Sequence, residues 1–175
     1  MSTVRLVNGR AVLAASGELM AIYAAVFCVP PWNEPLERAW GLADRLADWT
    51  EKPGFVGALA HAGNSVTGFA LGYTTATPFP RDRSYGQVRS VLGSSAIAGL
   101  SGRFEVGELA VAPNARRGGL GRRLLDTLVG DRPAWLLTVP TIPGTTAFYD
   151  AVGWQRLGTG KGITIYTNVP LAPAA

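Results

Sequence analysis

Hydrophobic residues recur at two different spacings along this chain. Residues three and four apart share one face of a helix, whereas alternate residues share one face of a strand. Leucines at 120, 124, 125 and 128 have the helical spacing and predict a helix over 120–129. Further helices are predicted over 35–50, 87–97 and 145–151, and one more between Ser16 and Pro30. Strands are predicted at 3–7, 55–60, 66–75, 103–111, 134–139, 154–158 and 163–169.

Polar residues and prolines mark the ends of these elements. Ser16 and Asn33 are placed as helix N-caps, because their side-chain oxygens can accept a backbone N–H. Residues 81–85 are predicted to form a loop. The resulting order, β-α-α-β-β-(variable)-β-α-β-α-β-β, predicts an α/β fold of mixed type. The length favours one domain over 1–175, with a loose tail at 170–175.

A glycine-rich turn joins the strand FEVGELAV to the leucine-rich helix. Its sequence is Arg116-Arg117-Gly118-Gly119-Leu120-Gly121. Such a turn points several backbone N–H groups outward at a helix N-terminus, where the dipole also favours negative charge. Glycines let a phosphate approach the backbone closely, and arginines add donors and positive charge. The turn therefore predicts a site for a phosphorylated cofactor.

Two common phosphate-binding motifs do not fit this turn. A P-loop requires a lysine after its last glycine, and the chain has lysines only at 52 and 161. A dinucleotide fingerprint requires a third glycine, but Gly121 is followed by Arg122, Arg123 and Leu124. Neither a nucleoside triphosphate nor NAD is therefore the expected ligand.

The turn resembles the acetyl-coenzyme A motif of the GCN5-related N-acetyltransferase (GNAT) superfamily, [Q/R]xxGx[G/A]. Residues 116–121 match each fixed position. Phe148-Tyr149 and Gly153-Trp154 resemble a second element of the family, A-x-x-F-Y-x-x-x-G-[F/W]. Ala147 directly precedes Phe148 here, whereas two residues separate the alanine from the phenylalanine in that pattern. The resemblance covers 100–160. It implies acetyl-coenzyme A as co-substrate and a central mixed, mostly antiparallel twisted sheet, with helices on both faces and a splayed, bulged strand pair.

The strand before the turn carries two carboxylates. Its apolar alternation changes phase in the middle, and a β-bulge at Gly107 restores the phase. The bulge would bring Glu105 and Glu108 to one face. Two neighbouring carboxylates raise each other's pKa, so that one can act as general base near neutral pH. The alternative is that each is a solvated or arginine-paired strand residue.

The resemblance also implies roles for individual residues. Glu105 lies where the histone-modifying members carry their base, whereas Glu108 is closer to the turn and is suited to substrate binding or a proton relay. Tyr149 lies where many members have the acid that protonates the leaving thiolate. The expected cofactor-binding residues are Leu109, Ala110, Val111, Arg116, Arg117, Gly118, Gly119, Leu120, Gly121, Arg122, Thr146 and Tyr149.

Composition restricts the other classes of function. The net charge of +4 comes mainly from arginines, and the phosphates of the coenzyme explain the cluster at 116–123, so no nucleic-acid partner is expected. No apolar run is long enough for a membrane span. The lone cysteine, Cys28, fits a reducing compartment and a cytoplasmic location. No residues have metal-ligand spacing, so no metal is expected.

The sequence therefore predicts an acetyl-coenzyme A-dependent N-acetyltransferase that transfers the acetyl group directly to a primary amine in a ternary complex. A small-molecule acceptor is expected, with Trp32, Glu34 and Tyr85 as candidate substrate contacts, because acidic and aromatic groups suit a cation. The alternatives are a non-catalytic acyl-coenzyme A-binding module and an acetyltransferase of protein N-termini or lysines. A homodimer is expected by analogy alone.

Overall fold

The computed structural model describes residues 2–82 and 84–172. The strands are β1 (Thr3–Val7), β2 (Val56–Ala62), β3 (Ser65–Thr74), β4 (Phe104–Val111), β5 (Ala134–Thr138), β6 (Gln155–Gly160) and β7 (Ile163–Thr167). The helices are α1 (Gly9–Ala14), α2 (Ser16–Phe27), α3 (Leu36–Trp40), α4 (Leu42–Thr50), α5 (Ser84–Leu100), α6 (Leu120–Val129) and α7 (Thr145–Ala151). A 3-10 turn over Pro113–Ala115 follows β4.

The strands form one seven-stranded sheet in the order β1-β2-β3-β4-β5-β7-β6. The pairs β1/β2, β2/β3, β5/β7 and β6/β7 are antiparallel. Strands β4 and β5 pair in parallel at Phe104–Ala134 and Glu105–Trp135. The fold is therefore mixed α/β with a mostly antiparallel sheet, as predicted. The splay of the parallel pair and the bulge at Gly107 stay predictions.

The chain divides into two compact units. The first comprises Met1–Tyr73 and Val106–Gly130, and the second comprises Thr74–Glu105 and Asp131–Ala175. The boundary falls within β4, so that Glu108 and the glycine-rich turn belong to the first unit and Glu105 belongs to the second. The expectation of a single domain stays a prediction.

Helix α6 has the sequence-predicted bounds, and its apolar face is buried in the first unit. Leu124, Leu125 and Leu128 have no exposed surface, and Leu120 is 4% exposed. This burial fixes the rotation of the helix and therefore the position of the glycine-rich turn from which it starts. These leucines are therefore core residues, and the predicted helix over 120–129 is confirmed.

The N-terminal helices differ from the prediction. Helix α1 was not predicted, and Asn8 caps it by accepting the Ala11 N–H at 3.0 Å. Ser16 is the first residue of α2 rather than its N-cap. Asn33 has a φ of 50° and does not cap α3, whose N-cap is Pro35. A short polar residue before an apolar run was therefore not enough to locate these helix starts.

The predicted helix over 35–50 is interrupted at Gly41, which ends α3 and precedes α4. Leu42 and Leu46 of α4 are buried, whereas Trp40 is 62% exposed. Ala39, Leu42 and Leu46 therefore form the buried face of this segment, and Trp40 lies off it.

The second unit has its core between α5 and the strands β5 and β7. Val88, Leu100, Trp135 and Ile165 are fully buried there. Helix α5 is longer than predicted, includes Ser84 and Tyr85, and is broken where Gly93 has a φ of 77°. Arg83, in the predicted loop over 81–85, lies outside the described residues.

The start of the predicted tail is held in place. Arg103 donates to the carbonyls of Val169 and Pro170 at 2.8 and 3.0 Å. The side chain of Leu171 packs against Gly99 of α5. The prediction of a loose tail stays a prediction for 170–172, and 173–175 lie outside the described residues.

Candidate active site

The glycine-rich turn has the backbone shape of an anion site. Arg117 and Gly119 have φ angles of 69° and 70°, and Gly119 is the N-cap of α6. The first intrahelical bond runs from the Arg123 N–H to the Gly119 carbonyl at 3.1 Å. The N–H groups that precede it, from Leu120 to Arg122, therefore have no partner within the helix. They are the donors that an anion at this helix end would meet.

Glycine at 118 and glycine at 119 of this turn have different physical explanations. Gly119 has a positive φ, which favours glycine. Gly118 has no such φ, and a Cβ atom added there would meet no other atom within 4 Å. Neither backbone strain nor packing inside the protein therefore requires glycine at 118. The open space beside it is room for a ligand.

The arginines of the turn separate into two groups. Arg116, Arg117 and Arg122 are exposed, and Arg122 pairs with Asp126 at 3.5 Å across one turn of helix. Arg116 Nε also donates to the Val111 carbonyl at 3.2 Å. Arg123 is half-buried, and its Nη2 donates to the Ser2 carbonyl at 2.8 Å. Arg123 therefore anchors the chain before β1, and three exposed guanidinium groups remain at the turn.

Gly107 of β4 is required by packing. A Cβ atom there would lie 3.0 Å from the Trp49 ring and 3.2 Å from the Tyr73 ring. These two rings meet edge to face with centroids 5.4 Å apart. The aromatic pair therefore lies directly on the backbone of β4 at Gly107.

Glu108 is half-buried in the first unit. Burial raises its pKa to about 8, because desolvation disfavours the carboxylate, and the negative charge of Glu34 adds to this rise. The positive charges of Arg45 and Arg38 oppose it. Glu108 can therefore take up and release a proton near neutral pH, as a general base must.

Glu34, a predicted substrate contact, is hydrogen-bonded within the first unit. Its Oε2 accepts from the Tyr23 hydroxyl at 2.5 Å and from Arg38 Nε at 3.1 Å. Trp32, another predicted contact, packs edge-on against Phe27 with centroids 5.1 Å apart. Sequence reasoning missed Tyr23 as a contact of Glu34. A phenol among the aliphatic residues Leu19, Ile22 and Val26 of this helix was the sequence signal that could have indicated a polar contact.

Glu105 lies in the second unit and is only 8% exposed. Its Oε2 accepts from the Tyr85 hydroxyl at 2.8 Å and from Thr75 Oγ1 at 3.4 Å. Thr75 Oγ1 in turn accepts from Trp135 Nε1 at 2.7 Å. Tyr85, predicted as a substrate contact, therefore holds a buried carboxylate. Glu105 is therefore not a solvated strand residue. Nothing in the sequence indicated that Thr75 and Trp135 would belong to this hydrogen-bonded group.

Replacing Tyr85 by Phe is expected to destabilise the protein by about 1.5–3 kcal/mol, because a buried carboxylate loses a hydrogen bond. Urea denaturation of the single variants and of the Tyr85→Phe/Glu105→Gln double variant measures this. The two effects should fall short of additivity, since they remove the same bond. Fully additive effects would mean that the hydroxyl stabilises something else.

Tyr149 is half-buried on α7 in the second unit. Its ring lies 5.0 Å from Phe148 and 5.3 Å from Tyr166, measured between centroids. Phe148 is half-buried as well. The carbonyl of Thr146 accepts from the Tyr166 hydroxyl at 3.2 Å. The roles of Tyr149 and Thr146 toward a cofactor stay predictions.

Two features are absent from the part of the chain that the structure describes. Within 2–82 and 84–172, no helix is long and apolar enough to cross a membrane. Within the same ranges, no group of three or more His, Cys, Asp or Glu side chains is placed to hold a metal ion.

Comparison with known proteins agrees with the sequence and the fold. The model of the acetyltransferase (GNAT) family matches residues 18–153. This match covers more than half of the chain. The chain belongs to the acetyltransferase (GNAT) family.

Solved structures share the fold at low sequence identity. The PaiA N-acetyltransferase of Thermoplasma acidophilum, in complex with coenzyme A, has a TM-score of 0.66 at 12% identity, with 97% of this chain and 99% of that chain covered. An acetyltransferase of Thermus thermophilus has a TM-score of 0.65 at 15% identity, with 95% and 96% covered. These likenesses establish the fold alone.

A mycothiol acetyltransferase of Geodermatophilus obscurus is 38% identical to this chain over 81 residues. The match covers 39% of this chain and 26% of that protein. The chain therefore spans about a quarter of the length of this relative.

Proposed function

We propose that this chain transfers the acetyl group of acetyl-coenzyme A directly to the primary amine of a small molecule. The observation that carries the proposal is that Glu108, a carboxyl group with a pKa raised to about 8, lies on the strand that leads into the anion-binding turn. Both features belong to the first unit.

The turn fits the diphosphate of coenzyme A. The room beside Gly118 allows close approach, and the N–H groups of Leu120 to Arg122 supply donors. Arg116, Arg117 and Arg122 add positive charge. The backbone of 109–111 is proposed to hold the pantetheine amides. A PaiA N-acetyltransferase of the same fold binds coenzyme A, which supports this assignment.

Acetyl-coenzyme A supplies the thioester carbonyl that the amine attacks. Glu108 accepts a proton from the acceptor, directly or through water, because an ammonium group has no lone pair for attack. The new C–N bond forms as the C–S bond breaks, and the nitrogen then releases its second proton to water, which leaves a neutral amide. On the family resemblance alone, we propose that Tyr149 donates a proton to the leaving thiolate.

We propose Glu108 rather than Glu105 as the general base. Glu105 is buried and already bonded to Tyr85 and Thr75, so that its carboxylate is committed to holding the second unit together. Glu108 keeps part of its surface exposed and has the raised pKa. Sequence reasoning left the choice between the two carboxylates open.

The proposal is tested by incubating the protein with acetyl-coenzyme A and a panel of amines, and by measuring both free thiol and acetylated product. The panel contains polyamines, aminoglycosides, amino-sugar thiols and short peptides with free N-termini or lysines. We expect acetylation of a small amine. Acetylation of peptides alone would make the chain a protein acetyltransferase, and binding without transfer would make it an acyl-coenzyme A-binding module.

Two further expectations remain proposals. Light scattering on the purified protein tests the homodimer, which would give twice the mass of one chain. Fractionation of cells tests the cytoplasmic location.

A further inference from the structure

Helix α7, which carries Tyr149, is short and lies at the surface of the second unit. All of its residues, Thr145–Ala151, are described by the structure, and none of these side chains is buried. Isolated helices shorter than about 12–15 residues are marginal in water, so α7 depends on contacts with other elements. The Thr145 hydroxyl holds the start of the helix, because it donates to the Val139 carbonyl at 3.0 Å. The turn that contains Tyr149 needs a support of its own.

Tyr166 of β7 contacts that turn with both its hydroxyl and its ring. The side chain has no exposed surface. Its hydroxyl donates to Asp150 Oδ1 at 3.0 Å and to the Thr146 carbonyl at 3.2 Å. Because residues 146 and 150 lie about one helical turn apart, this shared bond spans the turn. The ring lies 5.3 Å from the Tyr149 ring, measured between centroids. One buried side chain therefore contacts both the backbone of the turn and the ring of Tyr149.

Arg156 of β6 holds the Asp150 carboxylate in place. Its Nε donates to Oδ1 at 3.0 Å, and its Nη2 donates to Oδ2. Exposed ion pairs contribute little in general, but a bidentate geometry such as this one fixes the orientation of the carboxylate. Hydrogen bonds from Arg156 and Tyr166 lower the pKa of Asp150, so that it is ionised near neutral pH. A hydrogen bond to an ionised group is about twice as strong as a neutral one, which strengthens the bond from the Tyr166 hydroxyl.

We propose that Tyr166 is a positioning residue of the reaction: its hydroxyl, bonded to Asp150, holds α7 so that Tyr149 meets the leaving thiolate. Arg156 supports this contact by orienting the carboxylate of Asp150. All four residues belong to the second unit. The inference rests on the proposed function, because Tyr166 acts through the proton that Tyr149 is proposed to donate.

Three variants separate the contacts that hold the helix. Tyr166→Phe removes the hydroxyl and keeps the ring beside Tyr149. Asp150→Asn keeps the shape of the acceptor and removes its charge. Thr164→Val is the matched control: Thr164 is fully buried on the same strand, and its hydroxyl bonds to Thr159 of β6 at 2.9 Å rather than to α7. It therefore removes a buried hydroxyl from the same pair of strands.

The test measures kcat and KM, with acetyl-coenzyme A and one amine, in the wild type, the single variants, Tyr149→Phe and the Tyr149→Phe/Tyr166→Phe double variant. We expect Tyr166→Phe to lower kcat about 10-fold and to leave the KM for the amine unchanged, because the acid is misplaced rather than removed. Asp150→Asn should lower kcat in the same way by a smaller factor, and Thr164→Val should keep it.

The double variant distinguishes positioning from a purely structural role. Its kcat should equal that of Tyr149→Phe, since the position of the helix no longer matters to an acid that is absent. If the Tyr166 hydroxyl only stabilised the fold, its loss would lower kcat by the same factor with or without the Tyr149 hydroxyl.

The outcomes separate this inference from the proposed function. Wild-type kcat in Tyr166→Phe, or an equal loss in both backgrounds, would overturn the inference while the chain remains an acetyltransferase. Wild-type kcat in Tyr149→Phe would overturn the choice of acid, and the inference with it. Folding of each variant is checked first, by its melting-temperature rise with acetyl-coenzyme A. If Tyr166→Phe lacks that rise, Asp150→Asn with and without Tyr149→Phe decides, and equal losses there would overturn the inference.

Discussion

Replacing Glu108 by Gln is expected to lower kcat by about 10²–10⁴-fold, because the acceptor amine loses its general base. The affinity for acetyl-coenzyme A should stay the same, since the variant leaves the turn at 116–121 intact. Steady-state kinetics with the acetylated amine from the panel, combined with calorimetric titration of acetyl-coenzyme A, measures both. Glu105→Gln is the comparison, and a larger loss of kcat there would identify Glu105 as the base instead.

The same variant changes the pH dependence of stability. Glu108 has a pKa of about 8 in the folded protein against an ordinary value of 4.5, so folding favours its protonated form. The stability that Glu108 contributes to the folded state is fully present below its unfolded pKa of 4.5, and it is lost as the pH rises through about 8. The wild type should therefore lose more stability than Glu108→Gln between about pH 5 and 9. Parallel curves from urea denaturation at several pH values would contradict the raised pKa.

Replacing Gly118 by Val is expected to weaken acetyl-coenzyme A binding by about 100-fold, or ~2.7 kcal/mol. The valine side chain would occupy the open space through which the diphosphate approaches the turn. The free energy of unfolding without ligand should stay nearly unchanged, because a Cβ atom at 118 meets no atom within 4 Å. Calorimetric titration and urea denaturation measure the two effects separately.

The matched control is Gly17→Val. Gly17 lies in the first turn of α2, and a Cβ atom there also has no neighbour within 4 Å. This variant should bind acetyl-coenzyme A as the wild type does. Unchanged binding in Gly118→Val would show that the turn does not hold the cofactor, and equal losses in both variants would show a general effect on folding.

The glycine-rich turn and α6 were predictable because their signals are local. Leucines at helical spacing determine the buried face of α6, and Gly119 supplies the positive φ at its start. The break at Gly41 was not predictable in the same way. The helical repeat still looks periodic across the break, because the buried residues Ala39, Leu42 and Leu46 keep a spacing of three and four residues.

The two carboxylates of β4 show the same limit in predicting a functional site from sequence. The sequence placed Glu105 and Glu108 on one strand, but their different surroundings depend on residues distant in the chain. Tyr85 bonds to Glu105 across twenty positions, and Glu34 acts on Glu108 from another element. No local pattern encodes such contacts, because they exist only once the strands and helices have packed.

The binding of acetyl-coenzyme A to the turn is tested most directly by the shift in melting temperature, measured with acetyl-coenzyme A, coenzyme A and NAD. A ligand at about 100 times its Kd should stabilise the protein by roughly 2.7 kcal/mol, or roughly 5–10 °C. We predict a dose-dependent rise with acetyl-coenzyme A and coenzyme A and none with NAD. No rise with acetyl-coenzyme A at millimolar concentration would contradict a coenzyme A site at this turn, and the proposed transfer reaction with it.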